Sequence, residues 1–348
     1  MNPEISDTHS RALKIATFLA TLLVVLRHAQ NLHRFYPDGS VWMPVTDCNI
    51  FMQRFISEFT AVAIPCFFCI SGFLFFAGLR DFKPLAAKLQ RRIRSLLIPY
   101  WLWNALFLLF WSLLALVPQF HDQLIRSYGL SQEPLWIIRQ LTVDPIVGQF
   151  WYIRTLMLFC LLTPLLLWSY RSRLIAVLTL TTLMHYWEII DCRLWSTEGI
   201  FWFYFGGLVG YNGWHKLLTY HRYCWVLPPL IAAMIAADIW GVLPVWRIRI
   251  MLTMIFLFQL SLFLTRFPAV SRKLERWGKY SFFIYALHGQ VVSVVSIYCS
   301  QRFAHTPINS FLSYWLGVCS AIGVSFAAAA VLKKFLPGLY QYFSGGRG

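Results

Sequence analysis

Four charged or titratable side chains interrupt long apolar runs of this 348-residue sequence, at three places. His28 and its neighbour Arg27 close the apolar run 15–26, Arg154 follows the aromatic residues 150–152, and His288 lies in a run that begins near residue 280. Such groups are costly in an apolar setting unless they pair, face a cavity or do chemistry. Histidine is also the usual proton-transfer side chain near neutral pH. Each position is therefore a candidate functional site, although His288 could equally be hydrogen-bonded across a helix interface.

A basic segment at 83–94 offers a second kind of chemistry. It ends in Arg91, Arg92 and Arg94, just before Ser95 and the apolar residues 96–98. One interpretation is membrane topology with contact to lipid headgroups. The other is capture of a phosphorylated donor, because arginine matches phosphate geometry with two parallel hydrogen bonds. Upstream, Ser71 precedes Gly72 in a rigid aromatic segment, where small residues usually mark helix contacts. A ligand contact at Ser71 is the alternative.

The amino-acid composition is that of an integral membrane protein, so the elements that position these residues are expected to lie in the bilayer. The chain is 58% hydrophobic and only 13% charged, about half the charged fraction of a soluble domain. Its net charge of +16 comes from cations in short loops between apolar runs, which argues against nucleic-acid binding. Cys66 and Cys69 have the spacing of a redox or zinc motif, but no second pair completes a metal site. No metal is expected.

The apolar runs predict an all-α, polytopic membrane bundle of about ten transmembrane helices. A spanning helix needs about 20 apolar residues. The candidates are 13–31, 59–79, 95–117, 150–169, 172–190, 199–213, 225–243, 249–267, 280–299 and 311–332. With the N-terminus inside, the inner segments carry 20 Lys and Arg residues and the outer ones 8. This distribution predicts cytoplasmic termini in a multi-pass protein of the inner or plasma membrane. The membrane domain is predicted at 11–333, with short cytoplasmic tails at 1–10 and 334–348.

These segments, in this order, resemble the acyltransferase-three family of multi-pass membrane O-acyltransferases, which modify sugars and cell-envelope glycans. The resemblance covers roughly residues 11 to 332. It rests on six motifs: LLVVLRH at 22–28, IPCFFCISGFL at 64–74, RRIRSLLIPY at 91–100, FWYIRTL at 150–156, FYFGGLVG at 203–210 and YSFFIYALH at 280–288. The family commonly has an arginine eleven positions before the first-helix histidine. That position is Thr17 here, so Arg27, Arg154 or another cation would have to substitute.

The resemblance implies a mechanism. Acyl-CoA, expected to be acetyl-CoA, would approach from the cytoplasm and bind at Arg91, Arg92, Arg94 and Ser71. His28 would deprotonate a hydroxyl of a glycan or lipid-linked sugar, and Arg154 or a polar side chain would stabilise the oxyanion. His288 would shuttle the proton or relay the acyl group. Direct transfer and transfer through an acylated residue both remain open, and the expected partners are this acceptor and membrane lipids.

Two other functions compete with this one. A transporter or flippase of a lipid-linked sugar would use the same buried cations for binding, although no internal repeat of the kind common in transporters is visible. An acyltransferase acting on a small molecule or an amino acid would share the scaffold. The sequence does not choose among acceptors, and it does not indicate the oligomeric state.

Overall fold

The structure is a computed structural model that describes residues 5–29, 47–118, 121, 129–187, 195–242, 245–303 and 306–346. These residues are 82% helical and contain no strand, which confirms the all-α fold class. The chain divides into two compact units. Unit 1 comprises residues 1–24, 54–92 and 155–281, and unit 2 comprises 25–53, 93–154 and 282–348.

Fifteen α-helices are labelled in chain order within the described residues. They are α1 (Asp7–His28), α2 (Asp47–Thr60), α3 (Ala63–Phe76), α4 (Leu85–Leu114), α5 (Pro134–Thr142), α6 (Trp151–Leu161), α7 (Thr163–Tyr170), α8 (Arg173–His185), α9 (Thr197–Asn212), α10 (Leu227–Ile239), α11 (Trp246–Leu264), α12 (Pro268–Gly278), α13 (Ser281–Arg302), α14 (Pro307–Phe335) and α15 (Pro337–Ser344). Short 3₁₀ turns lie at Gly148–Phe150, Trp214–Leu217 and Arg222–Val226.

Six helical segments of the described chain are long and apolar enough to cross a membrane. They are Asp7–His28, Met52–Phe76, Leu85–Leu114, Arg222–Ile239, Trp246–Leu264 and Pro307–Phe335. Helix α8 has 13 residues and α9 has 16, both short of the roughly 20 that a span needs. The count of ten spans and the side on which the termini lie therefore stay predictions. Residues 30–31 and 188–190, at the ends of two predicted spans, lie outside the described residues.

The predicted span 150–169 is broken in the structure. Helices α6 and α7 meet at an angle of 57° and together could form a seventh span. Pro164, in the first turn of α7, has no N–H to donate to the carbonyl of Cys160 four residues earlier. The hydroxyl of Thr163 donates to that carbonyl instead, at 2.6 Å. A Thr-Pro pair thus bends the helix and satisfies the carbonyl that the bend releases.

Glycines bring α3 and α9 of unit 1 into backbone contact. A Cβ atom added to Gly72 would lie 1.9 Å from the carbonyl oxygen of Phe203, and one added to Gly206 would lie 1.9 Å from that of Cys69. Gly210 faces the carbonyl of Phe73 in the same way. This arrangement confirms that the glycines of the 203–210 motif permit close helix approach. It also makes helix packing sufficient to explain the small residue at position 72.

A buried arginine holds three other helices of unit 1 together. Arg249 in α11 is only 2% exposed, and its guanidinium pairs with the carboxylates of Glu58 in α2 and Asp238 at the end of α10. It also donates to the backbone carbonyl of Glu58. Two anions and a carbonyl thereby compensate a cation that would be very costly to bury alone.

A second ion pair in unit 1 fixes the start of α1 against α12. The Nε of Arg11 donates to Glu275 at 2.9 Å, and both residues also bond to the buried hydroxyl of Ser271. Burial raises the pKa of the Glu275 carboxyl, but hydrogen bonds from Arg11 and Ser271 and the charges of Arg11 and Lys14 outweigh it. The net effect holds the pKa of Glu275 below its ordinary value.

Replacing Gly206 with alanine is expected to lower the melting temperature of the detergent-purified protein. The added methyl would overlap the Cys69 carbonyl, and overpacking of this kind costs about 1–3 kcal/mol. The matched control is Gly323→Ala in α14, where an added Cβ meets no atom within 4 Å. Alanine favours helices, so the control should be neutral or slightly stabilising. Equal melting temperatures for both variants would contradict the close α3–α9 contact.

The Glu275 pair is expected to stabilise the protein only while the carboxyl is ionised. Because the folded pKa lies below the unfolded one, this stability is present above the unfolded pKa, about 4.3, and is lost as pH falls through that value toward the folded pKa. Glu275→Gln should lower the melting temperature near neutral pH, by a pair worth about 1 kcal/mol, and the deficit should shrink on acidification. Exposed Glu133→Gln is the control. A deficit that is constant with pH would refute the assignment.

Candidate active site

Two of the predicted catalytic residues meet in unit 2. The imidazole rings of His28, the last residue of α1, and His288, in the second turn of α13, lie with their centroids 5.0 Å apart at an angle of 57°. His28 is exposed and His288 is completely buried. Two positive charges at this distance would repel each other, so the pair favours holding one extra proton at most. An exposed imidazole backed by a buried one is suited to moving protons between a substrate and the protein interior.

Two backbone carbonyls determine which ring nitrogen of His288 carries the proton. Its Nδ1 lies 3.0 Å from the carbonyl oxygen of Ile284 and 2.8 Å from that of Tyr285. Carbonyl oxygens only accept hydrogen bonds, so Nδ1 carries the proton and Nε2 carries a lone pair. The buried Nε2 has no hydrogen-bond partner among the described residues. It is therefore the unprotonated nitrogen of a neutral imidazole, with its lone pair directed into the protein interior.

Gln149 holds the same stretch of α13 and was missed from the sequence. Its Nε2 donates to the carbonyls of Ala286, at 2.9 Å, and Tyr285, at 3.4 Å. The Tyr285 hydroxyl donates in return to the backbone carbonyl of Gln149. Tyr285 therefore supplies a carbonyl that both Gln149 and His288 use. We call Gln149 and its hydrogen bonds with Tyr285 and Ala286 the Gln149 latch.

Gly289 makes room for the latch. A Cβ atom at this position would lie 2.8 Å from the Oε1 of Gln149, closer than real Cβ contacts allow. The latch is braced further by ring stacking, because Phe150 lies between Tyr285, at 5.7 Å, and Tyr100, at 5.9 Å. The one sequence signal for Gln149 is its polarity beside Phe150 and Trp151. Nothing in that signal points to α13.

Arg154 has a different partner from the histidines. It is 9% exposed, lies in the first turn of α6, and donates to the backbone carbonyl of Val143 at the end of α5. The same loop is held by Tyr100, whose hydroxyl donates to the carbonyl of Thr142 at 2.7 Å, and by Asn104, which accepts from the Val147 N–H. Arg154 thus secures the loop that leads into the Gln149 latch.

The end of α1 is positioned by α14. The hydroxyl of Tyr314 donates to the carbonyl of Leu26 at 3.2 Å, within the last turn before His28. Arg27, next in the chain, is exposed. Upstream in unit 1, Thr17 uses its hydroxyl to donate to the carbonyl of Leu13 in its own helix, at 2.8 Å. A short side chain bonded to its own backbone does not reproduce what a long cationic one would supply at this position.

The predicted donor-binding residues lie on α3 and α4. Arg91 and Arg94 are exposed, Arg92 is half-buried, and all three lie inside α4 because that helix begins ten residues before the predicted span. Lys88, from the same basic segment, donates to the carbonyls of Phe75 and Ala77 and so caps α3. Ser71 is half-buried in α3 beside the Gly72 contact. The exposed guanidinium groups of Arg91 and Arg94 are therefore available to an anionic ligand.

Within the described residues, no three His, Cys, Asp or Glu side chains are grouped so that they could bind a metal ion. Cys66 and Cys69 are buried in α3 as free thiols. Hydrogen-bonding and acid–base groups are what the described site offers a substrate.

Comparison with known proteins identifies the chain. No curated protein and no solved structure matches it significantly. The acyltransferase-three family model, described as an acyltransferase domain, matches residues 12–330, nearly the whole chain. The matched range includes both histidines, the Gln149 latch and α4. The protein belongs to the acyltransferase-three family and is a membrane acyltransferase.

Proposed function

We propose that this protein transfers an acyl group, acetyl in the expected case, from cytoplasmic acyl-CoA to a hydroxyl of a glycan or lipid-linked sugar of the cell envelope. The family supports the transfer of an acyl group. The observation that carries the mechanism is the contact between exposed His28 and buried His288, whose Nε2 has no hydrogen-bond partner among the described residues. The envelope sugar follows from the resemblance described above and is the part that experiment must identify.

In the proposed reaction His28 removes the proton from the acceptor hydroxyl. The resulting oxygen attacks the thioester carbonyl carbon, and collapse of the tetrahedral intermediate breaks the carbon–sulfur bond and expels the CoA thiolate. The proton passes from the histidine pair to that sulfur, so the products are an ester and free CoA. His288 shares the proton with His28 while the intermediate exists.

Arg154 supports the reaction through charge and position. The bond from its guanidinium to the Val143 carbonyl fixes the position of this cation beside the loop. The positive charge is proposed to stabilise the negative oxygen of the intermediate. Its own burial strengthens that interaction, because charges act more strongly where water is excluded.

The donor is proposed to bind by its phosphates at α4. Arg91 and Arg94 are three residues apart on one helix and so point to the same side. Both are exposed, whereas Lys88 is committed to capping α3. The excess of 20 cations over 8 supports a cytoplasmic position for this end of α4 and for both termini.

The function is tested with purified protein in proteoliposomes, radiolabelled acetyl-CoA and a panel of envelope glycans and lipid-linked sugars. Wild-type protein should label an acceptor and release CoA. His28→Ala and His288→Ala should each lower the rate about 10²–10⁴-fold, the usual value for a lost general base or its proton partner. His185→Ala, an exposed histidine at the end of α8, should retain full activity.

Outcomes against the proposal are distinct. Full activity of His28→Ala would exclude it as the base. Translocation of a sugar by wild-type protein, without CoA release and with every acceptor unlabelled, would favour the transporter. Labelling of a small molecule in preference to any glycan would replace the acceptor and keep the mechanism.

Gln149→Leu is expected to lower kcat by about 10-fold or more, with little change in the KM for acetyl-CoA, because the Tyr285 carbonyl that orients His288 loses its hydrogen bond from Gln149. The pH–rate profile should shift as well, since the position of the accepting Nε2 changes. Gln341→Leu, at an exposed position of α15, is the control. An unchanged pH profile together with a proportional loss of folded protein would indicate a purely structural role for the latch.

A further inference from the structure

A cavity of about 230 Å³ lies within unit 1, and none of the residues assigned to acyl transfer lines it. Its walls come from the first turns of α1 and from the second halves of α3, α9 and α11, with apolar side chains such as Ala12, Phe73, Val209, Met254 and Leu262. An apolar cavity of about 150 Å³ is known to stay dry and to bind benzene. This one is larger, and water filling it would find few partners.

Two polar side chains of the lining, those of His9 and Gln259, form hydrogen bonds within the protein. His9 bonds through one ring nitrogen to Ser6, at 2.6 Å, and through the other to the carbonyl of Leu218, at 2.8 Å. Gln259 donates to the carbonyl of Thr219 and accepts from the N–H of His221. These bonds tie down the loop after α9 and leave the cavity suited to a hydrocarbon chain.

The mouth of the cavity combines apolar exposure with positive charge. Trp214 and Leu218 line the cavity and are 48% and 45% exposed, and Lys216 between them is exposed too. Residues 213–226 contain Lys216 and Arg222 and no acidic residue. Ile255, on the α11 wall, is also exposed. A chain could therefore enter from the lipid phase while an anionic headgroup stays at the loop.

Neighbouring charges at this end add to the positive potential. Arg80 donates to the carbonyl of Tyr211 in the last turn of α9 and lies over the ring of that residue. The nearby Asp81 is paired with Arg171, at 3.7 Å, so its charge is compensated. Basic groups at the membrane surface attract anionic lipids by about 1 kcal/mol each.

We propose that this cavity holds one hydrocarbon chain of an anionic phospholipid, with the lipid phosphate at Lys216. The lining walls and the cationic loop belong to one unit, so the site is complete within it. A bound lipid would stabilise unit 1 in proportion to its occupancy. Long-chain acyl-CoA, which also joins a chain to phosphates, is the competing occupant that the test must separate.

The test uses full-length protein in phosphatidylcholine vesicles that contain phosphatidylglycerol with a photoreactive chain. After irradiation, the label should map to the cavity walls in α1, α3, α9 and α11. Val209→Phe fills the cavity and should reduce this label about fivefold. The same substitution at Val226, which is 64% exposed and outside the lining, should leave the label unchanged. Ala12→Leu fills the cavity from its α1 wall and serves if Val209→Phe accumulates poorly.

Charge is tested at the loop. Lys216→Gln should reduce the preference for photoreactive phosphatidylglycerol over the matching phosphatidylcholine about fivefold, the value of one cation near the surface. Exposed Lys273→Gln is the control. The proposal is overturned by undiminished label in both cavity-filling variants or by equal labelling from the two lipids. Displacement of the label by long-chain acyl-CoA at stoichiometric concentration would assign the cavity to the acyl donor instead. No acyl transfer is needed for any of these readouts.

Discussion

Within apolar surroundings a polar side chain must find its partner inside the protein, and in this molecule the partner is usually a backbone carbonyl. His288 and Gln149 both donate to the carbonyl of Tyr285, Arg154 donates to Val143, and Lys88 caps α3. Carbonyls lie at positions set by the helices, so each bond fixes a side chain relative to a helix. The tautomer of His288, on which the proposed proton transfer depends, is a direct consequence of this constraint.

Glycine and proline determine how the helices approach one another. Gly72 and Gly206 let α3 and α9 touch backbone to backbone, and Pro164 bends the chain between α6 and α7. In unit 2, Pro99 cannot donate to the carbonyl of Ser95, and the chain at Gly345 packs against that oxygen. The indole of Trp103 donates to the carbonyl of Phe343, at 3.0 Å, and secures the same contact. A hydroxyl thus satisfies the carbonyl released at Pro164, whereas close packing accompanies the irregularity at Pro99.

The two units carry different kinds of chemistry. Unit 2 holds the histidine pair, the Gln149 latch and Arg154, which are groups that move protons and stabilise charge. Unit 1 holds the paired Arg249, the Arg11–Glu275 contact and an apolar cavity with a basic mouth. This division fits an enzyme in which acyl transfer and lipid contact use separate residues.

The sequence alone determined the all-α membrane class and the family, and it selected His28 and His288 as candidate site residues, because a charged or titratable side chain stands out in an apolar run. It also indicated the close approach of the 203–210 glycines. Only the tertiary structure decided that the two histidines meet, that Arg154 bonds to Val143, and that Gln149 supports Tyr285. These contacts join residues as far apart as 28 and 288. Helical periodicity describes one helix at a time, whereas the partner of a buried polar group depends on how different helices pack.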